Sequence, residues 1–222
     1  MELHRIIGHF LMKHFAGKRQ PVVDSGKKHI ACIGDSITYG NGVGGKKELT
    51  WEFLLNEIFG DEYQVINYGA SGRTLQKEGD FPYVDDPICQ YSRQCQAEMY
   101  IIMLGTNDAK HFNWNRKRYE EQYRQFAQSY LDLPGRPKVV LMIPPCCYPD
   151  PLSGIVAFFV DRQVIDLQLP EIIRQTGEEM GLPVIDLHEL TAGHPEWFAD
   201  GVHPNAEGNR AIAQAIASLL NP

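Results

Sequence analysis

The sequence predicts an α/β fold, a three-layer α/β/α sandwich around a five-stranded parallel sheet, on three observations. Five short runs rich in valine and isoleucine alternate with segments of helical periodicity from residue 29 onward. The runs are almost continuously apolar, as strands covered on both faces are. Polar and turn-forming residues stand directly after the first three runs, where open parallel sheets keep their ligand sites.

The first run covers 29–33 and leads into Gly34-Asp35-Ser36. A helical pattern over 51–59 precedes the second run, 64–67, which is followed by Gly69-Ala70-Ser71-Gly72. A weakly helical stretch at 88–97 precedes the third, 99–104, and then Gly105-Thr106-Asn107-Asp108. Helix 116–131, strand 138–143, a helix over 161–180 and strand 183–186 complete the alternation. The last helix, 206–220, has Asn205 as its N-cap, just after Pro204. Right-handed crossovers between parallel strands then place helices on both faces of the sheet.

Residues 1–28 stand apart from the domain expected over 29–222. Leu3, Ile6, Ile7, Phe10, Leu11 and Phe15 recur at helical spacing among Arg5, Lys13, Lys18 and Arg19. The pattern predicts an amphipathic helix followed by a polar connection. Its apolar stripe would pack on the body or on a second subunit, giving a homo-oligomer; a membrane-surface anchor is the sharper alternative.

Bulk composition narrows the class. With 21 basic against 28 acidic side chains the net charge is −7. Such a surface repels a phosphate backbone, so no nucleic-acid partner is expected. The five cysteines are odd in number and fit no zinc spacing, and Cys146 adjoins Cys147. Reduced thiols and a cytoplasmic location are the simplest expectation. No apolar run reaches the roughly 20 residues of a membrane span, and the N-terminus lacks the pattern of a secretory signal.

Nucleophilic acyl transfer needs a nucleophile, a base, a group that orients the base, and donors for the developing oxyanion. Ser36 lies just past an apolar strand among small, turn-forming residues. A lone serine there is most often a cap. Asp200-Gly201-Val202-His203 adds a carboxylate and an imidazole three residues apart, close enough for both to face one cleft. Gly72 would let a backbone N–H approach a substrate without a Cβ in the way. Asn107 offers a side-chain NH₂, and the N–H of Ser36 is a third donor.

Taken together these blocks resemble the SGNH hydrolases, also called GDSL esterases and lipases. Gly34-Asp35-Ser36 (with Ile37 where Leu is usual), the segment 67–72, Gly105-Thr106-Asn107-Asp108 and Asp200-Gly201-Val202-His203-Pro204 stand in the family's order. The resemblance implies a flavodoxin-like sandwich and ester hydrolysis without metal or other cofactor. It assigns Ser36 as nucleophile, His203 as base, Asp200 as orienter, and Ser36, Gly72 and Asn107 as the oxyanion hole. The stretches 34–40, 107–114 and 181–186 look like the carbohydrate-esterase and acetylesterase branch, so the expected partner is a small ester, an acylated sugar above all. Asp35, Tyr39, Lys110 and Trp114 are the candidate substrate-binding residues. A lysophospholipase or acyl thioesterase of the same fold is the alternative, and a silent binding module the alternative of another class.

Two decoys are set aside. The stretch 40–45 satisfies G-x-G-x-x-G and nearly spells a phosphate loop, but Lys47 stands where the magnesium-binding Ser or Thr belongs. A mobile loop beside the active site accounts for these glycines better. His111, His188 and His194 are scattered singly, which disfavours a metal site.

Overall fold

A computed structural model describes residues 20–220. The amphipathic segment expected near the N-terminus, with the subunit contact attributed to it, falls on 1–19 and lies outside the described residues.

The sheet is five-stranded and parallel: β1 (Lys28–Gly34), β2 (Tyr63–Gly69), β3 (Met99–Met103), β4 (Lys138–Ile143) and β5 (Val184–Asp186). Its order is β2-β1-β3-β4-β5. The chain therefore reverses its direction of growth between β1 and β3, and the crevice for a ligand opens beyond their carboxyl ends.

Around the sheet lie α1 (Ser36–Tyr39), α2 (Trp51–Phe59), α3 (Pro87–Gln94), α4 (Arg116–Leu131), α5 (Leu169–Met180), α6 (Leu187–Thr191) and α7 (Ala206–Leu220). Side chains alternate across a strand, so β1 feeds two cores. Ile30 and Cys32 pack with Trp51 and Leu55 of α2 and Ile212 and Ile216 of α7. Ala31 and Ile33 face the other way, toward Tyr119, Tyr123 and Phe126 of α4 and Ile172 of α5. Each fully buried aliphatic chain contributes about 1.5–3 kcal/mol, so both layers are held by the same strand.

Polar side chains fix where the helices begin. Asp86 caps α3 by accepting from Ile88 N at 3.0 Å, with Pro87 at the first helical position. Asn205 accepts from Glu207 N at 3.0 Å and Gly208 N at 3.1 Å, as the cap of α7. Asn209 then ties α7 to α2, accepting from Trp51 N at 2.9 Å.

One expected helix is broken. The segment 161–180 contains a π-turn, Val164–Gln168, before α5 begins at Leu169. Pro170 has no N–H to give to the carbonyl of Asp166. The turn widens instead, and Leu169 N bonds Val164 O.

Candidate active site

Ser36 opens the four-residue helical turn α1 directly beyond β1. Asp35 is its N-cap, accepting from Ile37 N at 3.0 Å. Close packing under this turn requires a glycine on the neighbouring strand: a Cβ on Gly69 would stand 2.3 Å from Tyr39 N. The serine hydroxyl is thereby presented at the mouth of the crevice while the residue stays 7% exposed.

His203 comes from the turn before α7 and meets Ser36 across 167 residues of chain, Nε2 to Oγ at 2.8 Å. Its Nδ1 lies 2.6 Å from Asp200 Oδ2. A carboxylate only accepts, so Nδ1 carries the proton and Nε2 is the lone pair facing the hydroxyl. The other Asp200 oxygen accepts the N–H groups of His203 at 2.8 Å and Val202 at 3.0 Å. Burial pushes the Asp200 carboxyl up, but donation from the His203 backbone and imidazole outweighs it and holds the group below the usual carboxylate range. Asp200 is thus an anion oriented to hold one imidazole tautomer.

Gly72 turns with φ +80° in the loop after β2. Arg73 braces that loop from beneath, donating to Ser71 O at 2.8 Å and pairing with Asp86. Asn107, in the loop after β3, is 8% exposed, and its carbonyl accepts from Asn113 Nδ2 at 2.9 Å. The loops holding Gly72 and Asn107 are joined by Asp108, whose carboxylate accepts Leu75 N and Gln76 N, both at 2.8 Å. Ser36, His203, Asp200, Gly72 and Asn107 therefore all stand on strand-end loops of the sheet or in the turn before α7.

Three of the residues expected to contact substrate have partners within the framework. Asp35 is 1% exposed and caps the Ser36 turn, with Asn107 Nδ2 3.4 Å from its other oxygen; it supports the nucleophile's backbone. Lys110 is buried against Asp80, Nζ to Oδ2 at 3.2 Å. The indole of Trp114 donates to Gln168 Oε1 at 3.1 Å and packs against Tyr119. A long or aromatic chain beside a catalytic loop finds its partners in the framework, and local sequence cannot separate that fate from ligand contact. Tyr39, by contrast, is exposed at the end of α1.

The glycine loop is likewise part of the framework. A Cβ on Gly42 would lie 2.5 Å from Pro204 O and 3.0 Å from His203 Cβ, so this loop is seated on the histidine turn. Its outer residues Gly44 and Gly45 are exposed.

His188, expected to stand alone, meets Asp166 of the π-turn at 3.0 Å, and Cys146 Sγ donates to its carbonyl at 3.2 Å. The ligand-type atoms of Cys146, Asp166 and His188 all fall within 4.8 Å of one another. These groups already satisfy each other as an ion pair and a hydrogen bond.

The sequence also offers Tyr39, Phe81, Tyr83, Phe158 and Phe159 as aromatics that could line an acyl or sugar subsite; two of them stand just before the π-turn. Phe158 and Phe159 both have left-handed backbones, φ 61° and 63°. The Phe158 ring stands edge-on to His203 at 5.4 Å between centroids. A bridge between Lys110 and Val160, and a bond from Asp161 N to Ala109 O at 2.8 Å, fasten this segment to the Asn107 loop.

Residues 32–211 match the model of the GDSL-like lipase/acylhydrolase family. The chain is 31% identical over 213 residues to an acetylxylan esterase of Xylanibacter ruminicola, covering 86% of this chain and 42% of that protein. It thus spans less than half the length of that relative. The aryl esterase of M. smegmatis superposes with a TM-score of 0.71 at 24% identity, covering 87% of this chain and 98% of that one. A carbohydrate acetylesterase from Sinorhizobium meliloti superposes with a TM-score of 0.72 at 22% identity, covering 88% and 99%. At those identities the two structures speak for the fold.

Proposed function

Since the chain belongs to the GDSL-like lipase/acylhydrolase family, we propose that it is a serine esterase that removes short acyl groups, acetyl above all, from a carbohydrate or similar polar alcohol. The observation that carries this reading is the hydrogen-bonded chain from Ser36 through His203 to Asp200. The acetyl group and the sugar are supported by the acetylxylan esterase relative.

The chemistry follows from the geometry. Ser36 Oγ attacks the ester carbonyl as its proton passes to His203 Nε2. The new imidazolium is stabilised by Asp200, and the oxyanion by the N–H groups of Ser36 and Gly72 and the Asn107 amide. Collapse breaks the C–O bond to the alcohol, which takes the proton from Nε2 and leaves an acyl-serine. Water, deprotonated by the same nitrogen, then attacks, releasing the acid and restoring Ser36.

A burst of p-nitrophenol from p-nitrophenyl acetate, followed by slower turnover, is expected of the native chain. Ser36→Ala should abolish both the burst and labelling by a fluorophosphonate, with kcat down on the order of 10⁴–10⁶-fold. Turnover surviving that change sinks the assignment. An acyl-length panel separates acetyl preference from the long-chain preference of a lysophospholipase or acyl thioesterase.

A further inference from the structure

The acid that donates to a departing alkoxide must lie within hydrogen-bond reach of it. With His203 Nε2 beside Ser36 Oγ at 2.8 Å, the alcohol half of the ester must lie on the histidine side of the serine. The acyl oxygen lies on the other side, toward Gly72 and Asn107. The surface reached from the histidine side begins with the Phe158 ring, 5.4 Å from the imidazole and half exposed. Ala157, its neighbour in the chain, and Asp200, the partner of His203, both line a pocket of about 660 Å³. That volume falls within the range of small-molecule sites.

Its charge is one-sided. Among the described residues its wall holds Asp150, Glu196 and Asp200 but no lysine, arginine or histidine, and just outside it His194 Nδ1 pairs with Glu196 Oε1 at 2.8 Å. Donation from Ser153 holds the Asp150 carboxyl below the usual carboxylate range, and donation from His194 does the same for Glu196. Both are therefore anions at neutral pH. Hydroxyls donate to carboxylates readily, whereas a second anion is repelled. The aromatic edge has a further property. Phe158 and its neighbour Phe159 adopt φ values of 61° and 63°, where non-glycine residues sit only when their surroundings hold them. The ties from this segment to Ala109 and Lys110 supply that hold.

We propose that the pocket running from Ala157 and Asp200 to Asp150 and Glu196, with Phe158 at its edge toward His203, is the leaving-alcohol subsite, and that it selects an uncharged polyhydroxylated ring and rejects an anionic one. This rests on the esterase reading above and adds which residues decide the alcohol. Phe158 covers the apolar C–H face of the ring beside the reacting oxygen. Asp150 and Glu196 accept its hydroxyls and exclude carboxylate-bearing or phosphate-bearing alcohols.

The test compares rate ratios within single preparations, so a partial loss of folded enzyme cancels. Three substrates suffice: ethyl acetate, acetylated methyl xylopyranoside, and acetylated methyl glucuronoside with a free carboxylate. The native chain should favour the neutral sugar over the uronate in kcat/KM. Joint Asp150→Asn and Glu196→Gln should narrow that preference about three- to tenfold, and added salt should narrow it in the native chain. Phe158→Ala should lower the xyloside-to-ethyl-acetate ratio about three- to tenfold, and Phe158→Tyr should restore it. Turnover of both sugars with ratios unmoved by these variants overturns the subsite alone. Turnover of ethyl acetate with none of acetylated xyloside overturns the sugar-esterase reading, and the subsite with it.

Discussion

Asp108 accepts the backbone N–H of Gln76 at 2.8 Å, and with its second oxygen it accepts that of Leu75. One buried carboxylate thus joins the loop carrying Gly72 to the loop carrying Asn107. Asp108→Ala would leave two buried N–H groups unpaired, at about 1–3 kcal/mol each. Melting should fall by about 4–12 °C. Asp108→Asn keeps the shape, yet sets an NH₂ against one of those donors. Its kcat on an aryl acetate should drop about 10²-fold, as when one oxyanion donor is displaced. An Asn variant with native kcat would show that the clamp does not set the donors.

Burial pushes the Asp108 and Asp35 carboxyls up to about 6. Unfolded, both titrate near 3.8. Below that pH both are neutral in either state, and above about 6 the folded state carries their burial cost in full. These two groups therefore make the protein lose stability as pH rises from about 4 to 6, flat thereafter. Denaturant titrations of Asp108→Asn across that window should show a shallower slope than the native chain.

His188 has the same sign at higher pH. Hydrogen bonding to Cys146, opposed by burial and reinforced by Asp166, lifts its imidazole from 6.5 to about 9. Its contribution is complete below about 6.5 and is lost as pH rises through about 9. His188→Gln should melt lower than the native chain at pH 6 and converge with it at pH 10. Parallel melting curves over that range would refute the linkage.

Asp200 orients a tautomer, and Asn at 200 would present an N–H where Nδ1 already carries one. Asp200→Asn should therefore cut kcat about 10⁴-fold with KM little changed. Steady-state kinetics on p-nitrophenyl acetate decide it, and a loss under tenfold would remove Asp200 from the relay.

Gly69 and Gly44 offer a contrast in steric tolerance. A Cβ at Gly69 would meet Tyr39 N at 2.3 Å, under the nucleophile's turn, whereas one at Gly44 meets nothing within 4 Å among the described residues. Gly69→Ala should cost more than about 4 kcal/mol and lower melting by at least about 8 °C. Gly44→Ala carries only its left-handed backbone, about 1–2 kcal/mol. Similar melting temperatures for the two would contradict the packing described.

Much of the molecule is legible in the sequence because its signals are local. The apolar runs ending in Ile33, Asn67 and Leu104 announce strands buried on both faces, and the turn residues after them announce where the crevice opens. Asn205 and Pro204 mark the start of the last helix for the same reason. The Asp200–His203 spacing is readable too, since three residues of one turn fix how far apart the two groups can be. Pro170 is a local signal that the helix expected over 161–180 took no account of; the π-turn Val164–Gln168 precedes it.

What the tertiary structure decided is which polar group meets which. Asp35, Lys110 and Trp114 stand beside the catalytic blocks in sequence, yet Asp35 is buried beside Asn107 and Lys110 against Asp80, and Trp114 is half-buried with its indole on Gln168. Asp108 became a clamp, and Phe158 a wall beside His203, through contacts made between loops of different strands. Hydrophobic periodicity and turn propensity are properties of neighbours along the chain. Partnership in the interior is set by packing between segments dozens of residues apart, and the sequence of either segment does not contain it. Ser36 was recognisable by the company of the other blocks and not by its place after a strand; its hydrogen bond to a histidine 167 positions away exists only because the sheet brings both to one edge.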